Sequence, residues 1–184
     1  MKKQIVDPWR DYGVLVEDTE IASTLLAGGV AEIPTETVNG WAALLNSEKA
    51  IRKLMKMKER EVGSGKVFTL VPESVEAISK YAVVSELANA LISRYMPGEI
   101  TLILPKNPDF RHFYYDNFET IGIRIPNIEP FPVLLEGLGA MVLTSANPRG
   151  GTPHSITGHK PSTIVDLTGE KPRILRQGDL VVEV

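Results

Sequence analysis

Three stretches of this chain place hydrogen-bonding or charged groups where apolar runs stop. In the first, Pro34-Thr35-Glu36-Thr37-Val38-Asn39-Gly40, two hydroxyls and a carboxylate come directly after the run Val30–Ile33. Pockets open at such strand ends, although a capped polar turn has the same composition. The second is Val142–Gly151, where an apolar run ends in Thr144 and Ser145, then the amide Asn147, then Gly150 and Gly151. Ser145 and Asn147 can donate or accept, while Ala146, Gly150 and Gly151 let a ligand come close to the backbone. A tight turn after a core strand is the competing reading. The third is basic: Lys49, Arg52, Lys53, Lys56, Lys58, Arg60 and Lys66 are seven of the 20 Lys and Arg, among only three acids. The first four suit a solvated helix face whose C-terminal dipole favours cations. Lys58, Arg60 and Lys66 flank a glycine loop, where cations suit a polyphosphate.

Several familiar sites are excluded. Gly63-Ser64-Gly65-Lys66-Val67 resembles the end of a P-loop, but that motif needs Gly at 60 and Ser or Thr at 67. The chain has Arg60 and Val67 there. Leu143 and Asn147 stand where a nucleophile elbow around Ser145 needs glycines. His112, His154 and His159 match no zinc spacing and have no cysteine partners, so no protein-only metal site is expected.

The elements that must position these groups follow from periodicity. Residues 18–27 read as a helix with Ile21, Leu25 and Leu26 on its apolar face, Asp18 or Thr19 as its cap, and Gly28–Gly29 as its stop. Residues 47–60 and 85–96 predict two more helices, and 131–138 a short one. Strands are expected at 30–34, 66–72, 99–105, 121–126, 140–145, 162–167 and 172–177. Helices and strands interleave, which indicates an α/β or α+β domain with a mixed sheet. The aromatic and polar stretch 106–119 reads as a loop of the kind that carries binding residues.

At 184 residues the chain suits one domain, burying on the order of 70% of its unfolded surface. Without cysteine there are no disulfides or thiolate sites, and nothing opposes a reducing, cytoplasmic location. The start has two lysines but no apolar core, unlike a secretory signal, and no apolar run is long enough to span a membrane. A net charge of −3 means that any nucleic-acid contact must come from a local patch.

Taken in order, six elements resemble the YrdC-like threonylcarbamoyl-AMP synthase family. They are "GGVAEIPTETVNG"; "KER" at 58–60 for K-x-R; "PGEITLILP"; "TIGIRIP"; "TSANPRGG" for S-A-N; and "STIVDLTG" with "ILRQG". The resemblance covers almost the whole chain, 1–184 as one YrdC-like domain. It implies a twisted open mixed α/β sheet with helices and a large, positively charged concave face. It also implies a nucleotidyltransferase that makes threonylcarbamoyl-AMP and pyrophosphate from threonine, bicarbonate and ATP, with Mg²⁺ carried by the ATP. The product would feed threonylcarbamoyladenosine modification of tRNA through further tRNA-modification proteins.

By the same resemblance, Lys58 and Arg60 meet the triphosphate, with Lys66 as a further catalytic cation. Thr35, Arg124 and Ser162 hold threonine, Arg124 forking its carboxylate. Thr120, Ser145, Asn147 and Arg176 complete the ATP site. The chain departs from the family pattern at Asn39, where an aromatic is usual, and at Trp41-Ala42-Ala43, where glycines are usual. Glu61 replaces a proline, and Lys66 comes two positions late. These changes admit a second reading, a non-catalytic binder of double-stranded RNA or nucleotide on the same basic face. The two readings separate on Lys58, Arg60 and Arg124, which a synthase needs in one pocket.

Overall fold

The computed structural model describes residues 18–61, 63, 66–128, 131–148, 150–152, 155 and 158–183. In chain order the elements are α1 (Asp18–Leu26), β1 (Ala31–Ile33), β2 (Gly40–Leu44), α2 (Glu48–Met57), β3 (Thr69–Val71), α3 (Ile78–Tyr81), α4 (Glu86–Tyr95), β4 (Ile100–Pro105), β5 (Thr120–Ile123), α5 (Phe131–Leu138), β6 (Met141–Ser145), β7 (Thr163–Asp166) and β8 (Arg173–Arg176). The strands form one open, mixed sheet of eight in the order β1-β2-β6-β3-β5-β4-β7-β8. The β3/β5 and β4/β7 pairs are parallel and the other five antiparallel. No helix among the described residues is long and apolar enough to cross a membrane.

Strand β2 is not visible in the sequence pattern. Gly and Ala are weak strand formers, and Gly40-Trp41-Ala42-Ala43-Leu44 lacks the β-branched signature. The strand exists because β1 pairs on one side and β6 on the other, Gly40 facing Ser145 and Leu44 facing Met141. Helices α1 and α2 pack against it, and its small residues Ala42 and Ala43 are completely buried. The short α3 was missed for a simpler reason: four residues are too few to show a period.

Leu26 corrects the predicted face of α1. Ile21 and Leu25 are buried, but Leu26 is 67% exposed. At 100° per residue it points roughly 140° away from Ile21. The proposed Asp18 or Thr19 cap lies outside the described side chains.

The 106–119 loop also has a different role from the one expected. Its Tyr114 and Tyr115 are buried core residues. Phe68 N donates to the Tyr114 hydroxyl at 3.0 Å, and the Tyr115 hydroxyl donates to Phe68 O at 3.0 Å. These bonds take over the backbone of Phe68, so β3 begins at Thr69 and not at Lys66. His112 anchors the loop. Tyr114 N donates to its Nδ1 at 3.3 Å, leaving Nε2 to donate to Leu45 O at 2.9 Å.

Helix α2 is capped by Ser47, whose side chain accepts from Ala50 N, and Ile51, Leu54 and Met55 are buried beneath it. It ends three residues before Arg60, in a left-handed turn. Glu59 N donates to Lys56 O at 3.1 Å and Arg60 N to Met55 O at 2.9 Å. This is a Schellman pattern with Glu59, φ 48°, where glycine is usual. A side chain in that conformation costs about 1 kcal/mol. Glu59→Gly should therefore raise unfolding stability in urea by about 0.5–1 kcal/mol, the gain trimmed by glycine's greater unfolded entropy.

Candidate functional site

A cavity of about 570 Å³ opens where β2, β6, β3, β5, β4 and β7 bring their inner faces together. Hydroxyls that break otherwise apolar strands floor it: Thr69, Thr101, Thr120, Thr144 and Ser145. Gly40 and Gly122 keep the floor low, and at Gly40 a Cβ would stand 2.5 Å from Leu143 Cδ1. Arg60, Lys66, Arg124 and Arg176 line the walls, and among the described residues no Asp or Glu lines the cavity. The volume is within the ordinary range for small-molecule sites.

Arg60 and Arg176 are held by aromatic or neutral neighbours, and Arg124 by a backbone carbonyl and one carboxylate. The Arg60 guanidinium lies 4.6 Å over the Phe68 ring, which Tyr114 stacks against at 5.0 Å. Its Nη1 is buried and has no hydrogen-bond partner among the described residues. Arg124 follows β5, donating from Nε to Gly98 O at 3.2 Å, and its Nη2 lies 3.0 Å from Glu36 Oε1. That ion pair is not aligned as a hydrogen bond, since Nη2 has no hydrogen-bonding acceptor. Arg176 sits on the exposed edge strand β8 and turns back over the cavity. It donates from Nε to Ser162 O at 2.8 Å and from Nη2 to Ser162 Oγ at 3.1 Å. Burial, and then the nearby Arg124 charge, pull its guanidinium below the ordinary value. Ser162 Oγ is in turn hydrogen-bonded to Thr101 Oγ1 at 2.9 Å.

Of the residues singled out in the sequence, Arg60, Lys66, Thr120, Arg124, Ser145, Ser162 and Arg176 line this one cavity, and Thr35, Lys58 and Asn147 do not. Thr35 is buried in its own turn: its hydroxyl bonds Val38 O at 2.7 Å and accepts from Thr37 N. The Asn147 amide closes the loop after β6, donating to Pro148 O at 2.8 Å and Gly151 O at 2.7 Å. The Lys58 ammonium is directly behind Ser145, 2.9 Å from its carbonyl oxygen. Of the rest of the basic run, Lys49, Arg52, Lys53 and Lys56 are exposed, and Arg52 pairs with Glu48 at 2.6 Å.

Two departures from the family pattern fall away from the cavity. Asn39 donates from Nδ2 to Glu32 Oε1 at 2.9 Å, and Trp41 Nε1 reaches Glu32 Oε2 at 3.3 Å. Glu61 is exposed and outside the lining, whereas Lys66 reaches it despite its late position. Sequence reasoning missed Thr69 and Thr101, and gave no role to Thr144 beyond its place in the hydroxyl pair that ends β6. Their signal was a hydroxyl set into an apolar strand. Among the described residues no cluster of three or more His, Asp or Glu could hold a metal ion, and His154 is outside them.

Lys58 is 5% exposed. Burial, then the Arg60 charge, lower its pKa from 10.5 to about 8. Between those values the unfolded chain binds the extra proton, so this group adds stability as pH rises through the window. Urea unfolding on either side of it should show that rise in the natural protein and a flatter profile in Lys58→Met.

Beside known proteins, residues 23–158 match the family model for Sua5, YciO and YrdC proteins, described as telomere recombination. A protein of Methanocaldococcus jannaschii, provisionally named threonylcarbamoyl-AMP synthase, is 31% identical over 160 residues, or 87% of this chain and 70% of the relative. YciO of Escherichia coli, an uncharacterised protein by name, is 26% identical over 174 residues, 82% of this chain and 84% of YciO. The crystal structure of Pyrococcus abyssi Sua5 complexed with L-threonine superimposes with a TM-score of 0.73 at 24% identity. That match covers 94% of this chain but only 55% of the Pyrococcus chain, and it shows a common fold.

Proposed function

The chain belongs to the Sua5/YciO/YrdC family, and on that premise we propose that it is an L-threonylcarbamoyladenylate synthase. It joins threonine, bicarbonate and ATP into threonylcarbamoyl-AMP and releases pyrophosphate. The observation that carries this reading is the convergence of Arg60, Lys66, Arg124 and Arg176 on one hydroxyl-floored cavity that no carboxylate lines among the described residues. Two anionic substrates must meet in such a reaction, and four cations can offset their repulsion.

In the proposed reaction the free threonine amine adds to the carbon of bicarbonate, and water leaves to give a carbamate. A carbamate oxygen then attacks the α-phosphorus, and the bond to the bridging oxygen breaks as pyrophosphate departs. Catalysis of this kind is mostly positioning and stabilisation of charged oxygens. Arg124 forks the threonine carboxylate with its unaligned Nη2. Arg60, through its uncommitted Nη1, and Lys66 take the phosphates. Arg176, fixed by Ser162, covers the nucleotide side, and the Thr120 and Ser145 hydroxyls orient the reacting oxygens between them. Magnesium enters with ATP as part of the substrate. The product is a mixed anhydride, and its threonylcarbamoyl group would go to a tRNA adenosine through downstream tRNA-modification proteins in the cytoplasm.

The test is to incubate the purified protein with labelled threonine, bicarbonate, ATP and Mg²⁺. Labelled threonylcarbamoyl-AMP and pyrophosphate should appear, and omitting bicarbonate should abolish both. Arg124→Lys keeps the charge but loses the fork. A charge-assisted hydrogen bond contributes about 1.5–3 kcal/mol, so kcat/KM for threonine should fall roughly ten- to a hundredfold. No product, with ATP still bound in calorimetry, overturns the reading in favour of a nucleotide- or RNA-binding module, whose RNA affinity would drop steeply with salt.

A further inference from the structure

We propose that Lys58 is a positioning residue that clamps the loop after β6, and that Arg60 alone of the two binds phosphate. This rests on the synthase reading for its kinetic arm only. An ammonium has three protons and no acceptor. Those of Lys58 face Asn147 O at 2.6 Å, Ser145 O at 2.9 Å and Asn147 Oδ1 at 3.3 Å, with Ser145 Oγ at 3.5 Å. All of these acceptors are neutral oxygens of one loop. A phosphate could take a proton from Lys58 only by displacing one of them.

The surroundings say the same. Lys58 is buried and absent from the cavity lining, and the Trp41 ring covers it at 5.4 Å. Arg60, two residues on, also lies against a ring but differs in two respects: it lines the cavity, and its buried Nη1 has no acceptor among the described residues. The left-handed Glu59 between them sends one cation behind the wall and the other through it. The clamp has a clear consequence for the site. It draws the carbonyls of Ser145 and Asn147 inward, Ala146 N is tied to Asn39 O at 2.7 Å, and the Ser145 hydroxyl is left facing the cavity. Without the ammonium, Asn147 O and Oδ1 lose a buried donor, Ser145 O keeps only the Asn147 N–H at 2.9 Å, and the hydroxyl loses its fixed place.

The experiment pairs hydrogen exchange of the 141–151 segment, in protein free of nucleotide, with steady-state kinetics. In Lys58→Met the amides of Ala146 and Asn147 should exchange at least about tenfold faster, while Arg60→Ala leaves them unchanged. Lys58→Met should lower kcat roughly ten- to a hundredfold and keep the ATP KM within about threefold, whereas Arg60→Ala raises that KM. Lys58→Met combined with Asn147→Ala should be no worse than the poorer single variant, because both act through one loop. Unchanged exchange in Lys58→Met, or an ATP KM raised as far as in Arg60→Ala, overturns the proposal. If Lys58→Met does not fold, Lys58→Arg is read by the same criteria, since a planar fork cannot meet that set of acceptors. If the natural protein makes no product, the function is wrong but the clamp is still decided by exchange and by the ATP Kd in calorimetry.

Discussion

Like charges crowded into one cavity are the constraint on which the rest of this structure turns. Arg60, Lys66, Arg124 and Arg176 line it and Lys58 stands just behind. Two of these groups have their pKa values lowered, in part by each other's neighbours: Lys58 by Arg60 and Arg176 by Arg124, after burial in both cases. A fold that neutralised them with carboxylates would leave nothing for a ligand. This one holds them largely with dipoles and ring faces: Phe68 under Arg60, Ser162 under Arg176, Gly98 O under Arg124. Glu36 is the exception, and its contact with Arg124 is an ion pair without hydrogen-bond alignment. An anion entering the cavity would relieve this repulsion, and its binding would then be linked to stability.

Holding cations in this way requires a rigid frame, and the sheet supplies it. Five hydroxyl-bearing positions on facing strands make a polar floor without flexible side chains. The aromatic loop 106–119 braces Phe68 through two tyrosine hydroxyls, and Phe68 braces Arg60. A loop whose composition suggests ligand binding thus serves the site from behind. Positioning of this quality is what catalysis by charge stabilisation demands.

The departures from the family pattern acquire a physical meaning in this frame. Asn39 replaces an aromatic, yet its amide is bonded to Glu32 and the cavity wall is built by other residues. Trp41, where glycine is usual, covers the Lys58 ammonium. Lys66 reaches the cavity from beyond a longer loop. These substitutions rearrange the support of the site while the four cations still converge.

The sequence by itself determined the residue types and most of the elements. Periodicity and apolar, β-branched runs located α2, α4, α5 and six of the eight strands to within a few residues, because burial on one face or both selects those residue types. β8 was found too, although all four of its residues are exposed. Seven of the ten residues singled out by motif meet in one cavity, which runs across the sheet from Thr120 and Ser145 to Arg124 and Ser162. The tertiary structure alone decided the rest. β2 is a strand only because its neighbours pair with it. Lys58 and Arg60, two positions apart, diverge because the turn at Glu59 is left-handed. The acceptors that fix Lys58 are 87 and 89 positions further along the chain, where no local pattern could announce them.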